Sequence, residues 1–262
     1  MRFGIEIPEN PKTIQEKLIW LQFYDPMNYL KPICADKLKI REYAKEKIGK
    51  DVCVPLIKAY GSPDEIRFSE LPDRFVLKTN HSNGQVMVVR DKSKADEAAA
   101  KAKIKDWLSR PFGVRTCEPH YMYIERKCYA EKFISNPDGR CPTDYKFFCF
   151  NGKAGLLQAE CEKGTPNERF QYYDMNLKLT DVSRKDHPSK PELAARDVLP
   201  KKFGLMKEYA EKLAAPFRFV RVDFYEIGEE VYLGEMTFVP GAARLFFKNP
   251  ATAIELGNMI KL

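Results

Sequence analysis

Apolar residues fall at helical spacing near the start of the chain and at every second position through much of the remainder. Ile14, Leu18 and Leu21, with Trp20 beside them, predict an amphipathic helix over 13–23. Asp36 stands at a capping position for a second helix that runs to Ile48 and stops at Gly49. From Val52 the period shortens to two. VCVPLIKAY is followed by FVLKTNHSNGQVMVVRDK, which reads as a strand, a loop over 80–84 and a returning strand over 86–90. An alanine-rich helix over 93–110 begins near Asp96 and Glu97, and KCYAEKFI (127–134) precedes a hairpin, DYKFFCFNGKAGLLQAE, that turns through Asn151-Gly152. The polar stretch between Glu160 and Phe203 has few signals, and so long a segment in a compact domain is a functional lid or partly disordered. A helix over 204–214 then leads into FRFVRVDFYEIGEEVYLGEMTFVPG, two strands about a turn at Gly228.

The last hairpin carries the densest chemistry. Alternation sets Arg221 and Asp223 on one face and Val220, Val222 and Phe224 on the other, and it puts Glu235 and Thr237 on one face with Leu233. Folding about Gly228 places Arg221 across from Glu235 with Asp223 nearby. Two readings stand: a solvated sheet face with paired charges, or a Mg²⁺ site in which the two carboxylates hold the ion together with nucleotide phosphates while Arg221 neutralises a transferring phosphoryl group. Elsewhere, Lys37 in the first turn of its helix opposes the helix dipole, so it needs full exposure or an anion beside it. Ser82, Asn83 and Gly84 offer backbone N–H groups with little side-chain bulk, next to a strand bearing Lys78. No GxxxxGK[ST] loop is present. Glu131 to Ile134 could form a hinge whose backbone edge pairs with adenine, and Asp144 could accept from ribose hydroxyls; a solvated acid at a strand end is the plain alternative.

Composition narrows the classes. With 262 residues, 44% of them hydrophobic, the chain can build one large domain or two intimate lobes. A net charge of +7 favours anionic partners, yet no block of five basic residues marks a nucleic-acid tail. The first residues lack the apolar core of a signal peptide and no run is long enough to span a bilayer, which predicts a cytoplasmic location. Seven scattered cysteines without a CxxC pair predict reduced thiols, and His81, His120 and His187 lie too far apart for a local zinc motif.

Taken in order, ADKLKIREYAKEKIG, LPDRFVLKTNHSNG, DYKFFCFNGK, FVRVDFYE and YLGEMTFVPG resemble the TupA-like ATP-grasp family, associated with teichuronopeptide and other surface-polysaccharide biosynthesis. The resemblance runs from about residue 12 to the C-terminus. It implies an α+β ATP-grasp fold: a helical arm (1–34), a lobe with the phosphate-binding loop (35–130) and a lobe with the Mg²⁺-binding hairpin (131–262). It also assigns roles. Lys37 and Lys78 would hold ATP phosphates under the loop Ser82, Asn83 and Gly84; Glu131, Lys132, Phe133 and Ile134 would grip adenine; Asp144 would bind ribose. Asp223, Glu235 and Thr237 would ligate Mg²⁺, with two ions implied, while Arg221 would face the γ-phosphate and the acyl phosphate and Lys178 would be a further phosphate-contacting lysine. Thr237 stands where most ATP-grasp enzymes have Asn, and a hydroxyl ligates Mg²⁺ more weakly. Only 36 residues precede Lys37, so the acceptor pocket is expected from the central and C-terminal segments or from a partner.

The implied reaction phosphorylates a carboxylate of an anionic glycan or glycan precursor, after which an amino acid or amino sugar displaces phosphate. A lipid-linked acceptor would bring peripheral membrane association, without an integral segment. The alternatives are a kinase acting on a sugar hydroxyl and a non-catalytic polyanion-binding module.

Overall fold

The computed structural model describes residues 8–113, 116–136, 139–196 and 199–262. Helix α1 (Ile14–Tyr24) starts at a capping box in which Thr13 and Glu16 satisfy each other's backbone N–H, and it buries Ile14, Leu18 and Leu21 as the spacing predicts. Short α2 (Lys31–Ala35) and α3 (Ile40–Ile48) follow. Asp36 begins a turn rather than α3 itself: its Oδ1 accepts from the N–H groups of Leu38 and Lys39 at 2.8 and 3.3 Å. Gly49, at φ 91°, ends α3 in the left-handed region open to glycine.

Strands β1 (Leu56–Tyr60), β2 (Phe75–Thr79) and β3 (Val86–Val89), helix α4 (Glu97–Ser109) and strand β4 (Cys128–Lys132) build the first lobe. The strands form an antiparallel sheet in the order β1-β4-β2-β3, and Ile104 of α4 joins Tyr60, Phe75 and Leu77 in a small core. The second sheet contains β5 (Asp144–Phe150), β6 (Lys153–Cys161) and β7 (Arg169–Tyr173); after α5 (Phe203–Ala214) it is completed by β8 (Phe219–Ile227) and β9 (Glu230–Thr237). Its order is β7-β6-β5-β8-β9, antiparallel throughout. Asn151 and Gly152, at φ 49° and 79°, make the tight β5–β6 turn that the Asn-Gly pair predicts. Helix α6 (Ala251–Asn258) packs on α1 so closely that a Cβ on Gly257 would lie 2.1 Å from the Lys12 carbonyl oxygen.

Three expectations change. Residues 35–53, expected in the first lobe, pack into the larger core of the second: Ile40, Tyr43 and Ala44 are buried there and Tyr43 donates to the Leu213 carbonyl at 2.9 Å. Second, the hairpin register differs, because Asp223 pairs with Glu235 and Arg221 with Thr237. A bulge between Asp223 and Phe224 leaves Gly234 unpaired, so Leu233 lies opposite Phe224 and faces the core, away from Glu235. Third, the polar stretch after Glu160 contains β7 and is tied down. Buried Gln171 accepts from the Lys190 N–H at 2.9 Å and donates to its carbonyl at 2.8 Å, and Arg184 bridges to Phe247.

Among the described residues no helix is long and apolar enough to cross a membrane. Five of the seven cysteines, Cys34, Cys53, Cys128, Cys149 and Cys161, are buried.

Candidate active site

The two sheets face each other across a cavity of about 770 Å³, and its lining comes from both lobes. From the first come Lys78, Asn83 and Gly84; from the second come Lys37, Asp144, Arg221, Asp223, Glu235 and Thr237. The sequence reading had to assemble this set from five separate segments.

The loop after β2 is anchored over most of its length. Asn80, His81 and Ser82 are buried. Asn80 donates to Asp36 Oδ1 (3.0 Å) and to the Glu125 carbonyl (2.9 Å), its Oδ1 accepts from the Lys127 N–H (2.8 Å), and its carbonyl accepts from the Lys37 N–H (3.1 Å). One side chain thereby fixes three chain segments. Only Asn83 and Gly84 remain exposed, and Gly84 takes φ 76°. Lys37 Nζ donates to the Ser82 carbonyl at 2.7 Å and lies 3.6 Å from Glu235 Oε2, bridging the lobes. Lys78 is ion-paired with buried Glu131 on the neighbouring strand.

Across the cavity, sheet pairing brings the charges together. Arg221 donates to both oxygens of Asp223 (2.7 and 2.6 Å), to Glu235 Oε1 (3.1 Å) and to Thr237 Oγ1 (3.2 Å). Burial alone would raise the Glu235 pKa, but Lys37, Arg221 and Lys146 hold it down at about 2. Burial pushes Asp223 upward, against the pull of Arg221 and Lys146. Burial likewise works against the Arg221 cation, but Asp223 and Glu235 outweigh it and keep the guanidinium charged.

Two carboxylates and a hydroxyl on one patch suit a hard cation such as Mg²⁺. Among the described residues no group of three or more His, Cys, Asp or Glu side chains is arranged to hold a metal. Asp144 adds a buried Oδ1 without a hydrogen-bond partner. The donor set therefore fits an ion that arrives with phosphates and keeps their oxygens as ligands.

Several assigned residues lie elsewhere. Lys178 is exposed on a turn closed by the Asp174 N–H to Lys178 carbonyl bond (2.9 Å) and does not line the cavity. Glu131 and Lys132 end β4, and Phe133 lies between the guanidinium groups of Arg74 and Arg90 at 5.4 and 5.2 Å. Neither these three nor Ile134 lines the cavity, although they occupy the passage between the lobes.

Others were missed. Lys146, at the centre of the second sheet, is buried and ion-paired with Asp144, with Asp223 at 3.2 Å and with Glu160 at 3.4 Å. Its position two residues after Asp144 in DYKFF was a usable signal, since alternation puts both on one face. Lys163 and Arg184 line the cavity, where Lys178 does not. Glu118 also lines the cavity; burial lifts its carboxyl to about 7 against the neighbouring Thr116 hydroxyl, with Glu235 adding to the rise. A carboxyl titrating near neutrality in a cleft is suited to proton transfer.

A family description, TupA-like ATPgrasp, matches residues 16–261. Among solved structures, a D-alanine–D-alanine ligase from Bacillus anthracis complexed with ATP superposes with TM-score 0.50 at 14% identity, covering 87% of this chain and 65% of that one. The corresponding enzyme from Helicobacter pylori gives TM-score 0.49 at 17% identity over 95% and 67%, and an L-amino acid ligase from Bacillus licheniformis gives 0.45 at 14% over 80% and 41%. The chain thus spans about two thirds of the length of the two D-alanine–D-alanine ligases. No curated protein matches it.

Proposed function

The chain belongs to the TupA-like ATP-grasp family and has the ATP-grasp fold, and from that premise we propose that it is an ATP-dependent carboxylate–amine ligase working through an acyl phosphate. The observation that carries the reading is the cavity itself, where Lys37 and Lys78 face Asp223, Glu235 and Thr237 with Arg221 between the carboxylates. The substrate class follows the family: a carboxylate of a surface glycan or its precursor, joined to an amino acid or amino sugar.

Both lysines assigned to the phosphates already rest on an anion or a carbonyl. Lys37 spans the Ser82 carbonyl and Glu235, and Lys78 sits on Glu131. Phosphate oxygens of ATP are stronger partners for both ammonium groups, so nucleotide would draw them off these contacts and into the cleft. The exposed Asn83–Gly84 tip adds backbone N–H groups over the phosphates. Mg²⁺ bound by Asp223 and Glu235 would supply Lewis-acid polarisation of the phosphoryl oxygens. Arg221, locked in orientation by Asp223, points its remaining donors at the space where the transferring phosphoryl develops charge. Glu118 is placed to accept a proton from the attacking ammonium. Phe133 and Ile134 carry the chain past the cleft, where their backbone can meet the adenine edge, and the unpartnered Oδ1 of Asp144 can accept from ribose.

The test is ADP release measured over a grid of amino acids, amino sugars and uronic-acid acceptors. Release of free phosphate that requires both an amine and a carboxylate is expected. A phosphorylated sugar without free phosphate would make the protein a kinase, and no nucleotide turnover with any pair would reject the ligase.

A further inference from the structure

Lys146 is a second cation at the carboxylate site, built into the sheet. Three adjacent strands converge on it: Asp144 shares its face of β5, Asp223 pairs with it directly from β8, and Glu160 of β6 pairs with Asp144. Its Nζ is bonded to Asp144 and lies 3.2 Å from Asp223 Oδ2 and 3.4 Å from Glu160 Oε2. Sheet register fixes all four backbones, so these contacts do not depend on a flexible loop.

We propose that the Lys146 ammonium takes the place of a second metal ion, so that nucleotide binds here with a single divalent cation on Asp223 and Glu235. The proposal rests on the Mg·ATP reading of the cavity. Two-metal phosphoryl-transfer sites hold their ions about 3.5–4 Å apart. A Mg²⁺ ion on Asp223 Oδ2 would sit about 2.0–2.1 Å from that oxygen, and the ammonium already lies 3.2 Å from the same atom. The two cations would then lie at most about 5.3 Å apart, a bound that admits the roughly 3.5–4 Å spacing of a two-metal pair.

Charge balance points the same way. Asp144, Glu160, Asp223 and Glu235 face Lys37, Lys146, Lys163 and Arg221, four charges of each sign. One ion entering with ATP exchanges Lys37 from Glu235 to phosphate. A second would have to displace Lys146 from three carboxylates at once or sit against its ammonium. The one opening for it is Asp144 Oδ1, and counting ions decides whether that opening is used.

The experiment counts Mn²⁺ bound to the full chain at saturating β,γ-imido ATP, from depletion of the free-ion EPR signal, with analogue binding followed in parallel by calorimetry. One Mn²⁺ per chain is expected; two would overturn the proposal while leaving the ATP site intact. Failure to bind the analogue at any Mn²⁺ concentration would remove both the proposal and the ligase reading. Lys146→Gln, checked for folding by circular dichroism, is expected to bind a second Mn²⁺. A folded variant that still binds one would overturn the role given to Lys146. Should it not fold, the wild-type count is decisive by itself.

Discussion

Asp223 shows how much a single carboxylate's surroundings change what its substitution does. On a polar, cleft-facing surface, Asp223→Asn and Glu235→Gln would silence turnover with little effect on folding. Asp223 is instead 2% exposed and answers both Arg221 and Lys146. Removing its charge leaves two buried cations short of a partner, so Asp223→Asn should lower unfolding free energy by about 3–5 kcal/mol. Glu235 is also held charged by Lys37 and Arg221, but with 23% of its side chain exposed, water screens it, so Glu235→Gln should lose less than Asp223→Asn. Urea unfolding of the two variants measures the contrast; equal stabilities would mean that the buried network contributes nothing. Glu118 offers a pH test. Its carboxyl is lifted from 4.5 to about 7, so across that window the folded protein holds a proton that the unfolded chain has released. Stability must therefore fall as pH rises from about 4.5 to 7, by up to about 3 kcal/mol. Glu118→Gln should remove this slope, and identical pH profiles for variant and wild type would place the carboxyl in water.

At the level of elements, the β8–β9 hairpin depends on one irregularity. Strict alternation would put Leu233 beside Glu235; the bulge at Gly234 returns Leu233 to the core and leaves Glu235 opposite Asp223. A Cβ at Gly234 would meet the Tyr225 ring at 3.0 Å and the Asp223 carbonyl at 3.3 Å. Gly234→Ala should cost about 1–3 kcal/mol and cut ADP release further than that loss explains, because the carboxylates shift with the strand. Gly228, at φ 58° in the exposed turn, serves as the control, since Asn tolerates the left-handed region. Gly228→Asn should leave ADP release unchanged. Thermal melts and single-point ADP assays on both variants decide the matter, and an active Gly234→Ala enzyme would show the bulge to be incidental.

For the molecule as a whole, the question is what closes over the cleft. The loop over 80–84 and the stretch over 162–191 both read as mobile from their polarity, but each is partly anchored, by Asn80 in the first and by Gln171 and Arg184 in the second. Hydrogen exchange should therefore find Asn80 to Ser82 and the Gln171–Lys190 contact protected without ligand. Protection of Asn83 and Gly84, and of the 162–168 turn, should appear only with Mg²⁺ and an ATP analogue. Uniform protection of these tips in the free protein would make the cleft preformed. Closure matters because an acyl phosphate open to bulk water is lost to hydrolysis.

Local pattern determined most of the elements. Period-two runs gave β2, β3, β5, β6, β8 and β9, the Asn-Gly pair gave the β5–β6 turn, and Gly49 gave the end of α3. Ordered motifs, through the family resemblance, also marked Lys37, Lys78, Asp223 and Glu235, which do line one cavity. Those features depend on neighbours a few residues away, which a sequence displays directly. Tertiary structure alone decided the rest, because it depends on partners far along the chain. Strand β7 is short, and its buried Gln171 is satisfied by the Lys190 backbone 19 residues on and by the Ser189 hydroxyl. Asn80 looks like loop filler until Asp36, Glu125 and Lys127 meet it. Lys178 has the composition of a site residue but a turn holds it outside, whereas Lys146 lies in a strand that reads as core and is drawn into the site by carboxylates on its neighbours. Charge positions in sequence say which groups exist; the pairing of β6, β5, β8 and β9 says which of them share a dielectric, and so which can hold an ion.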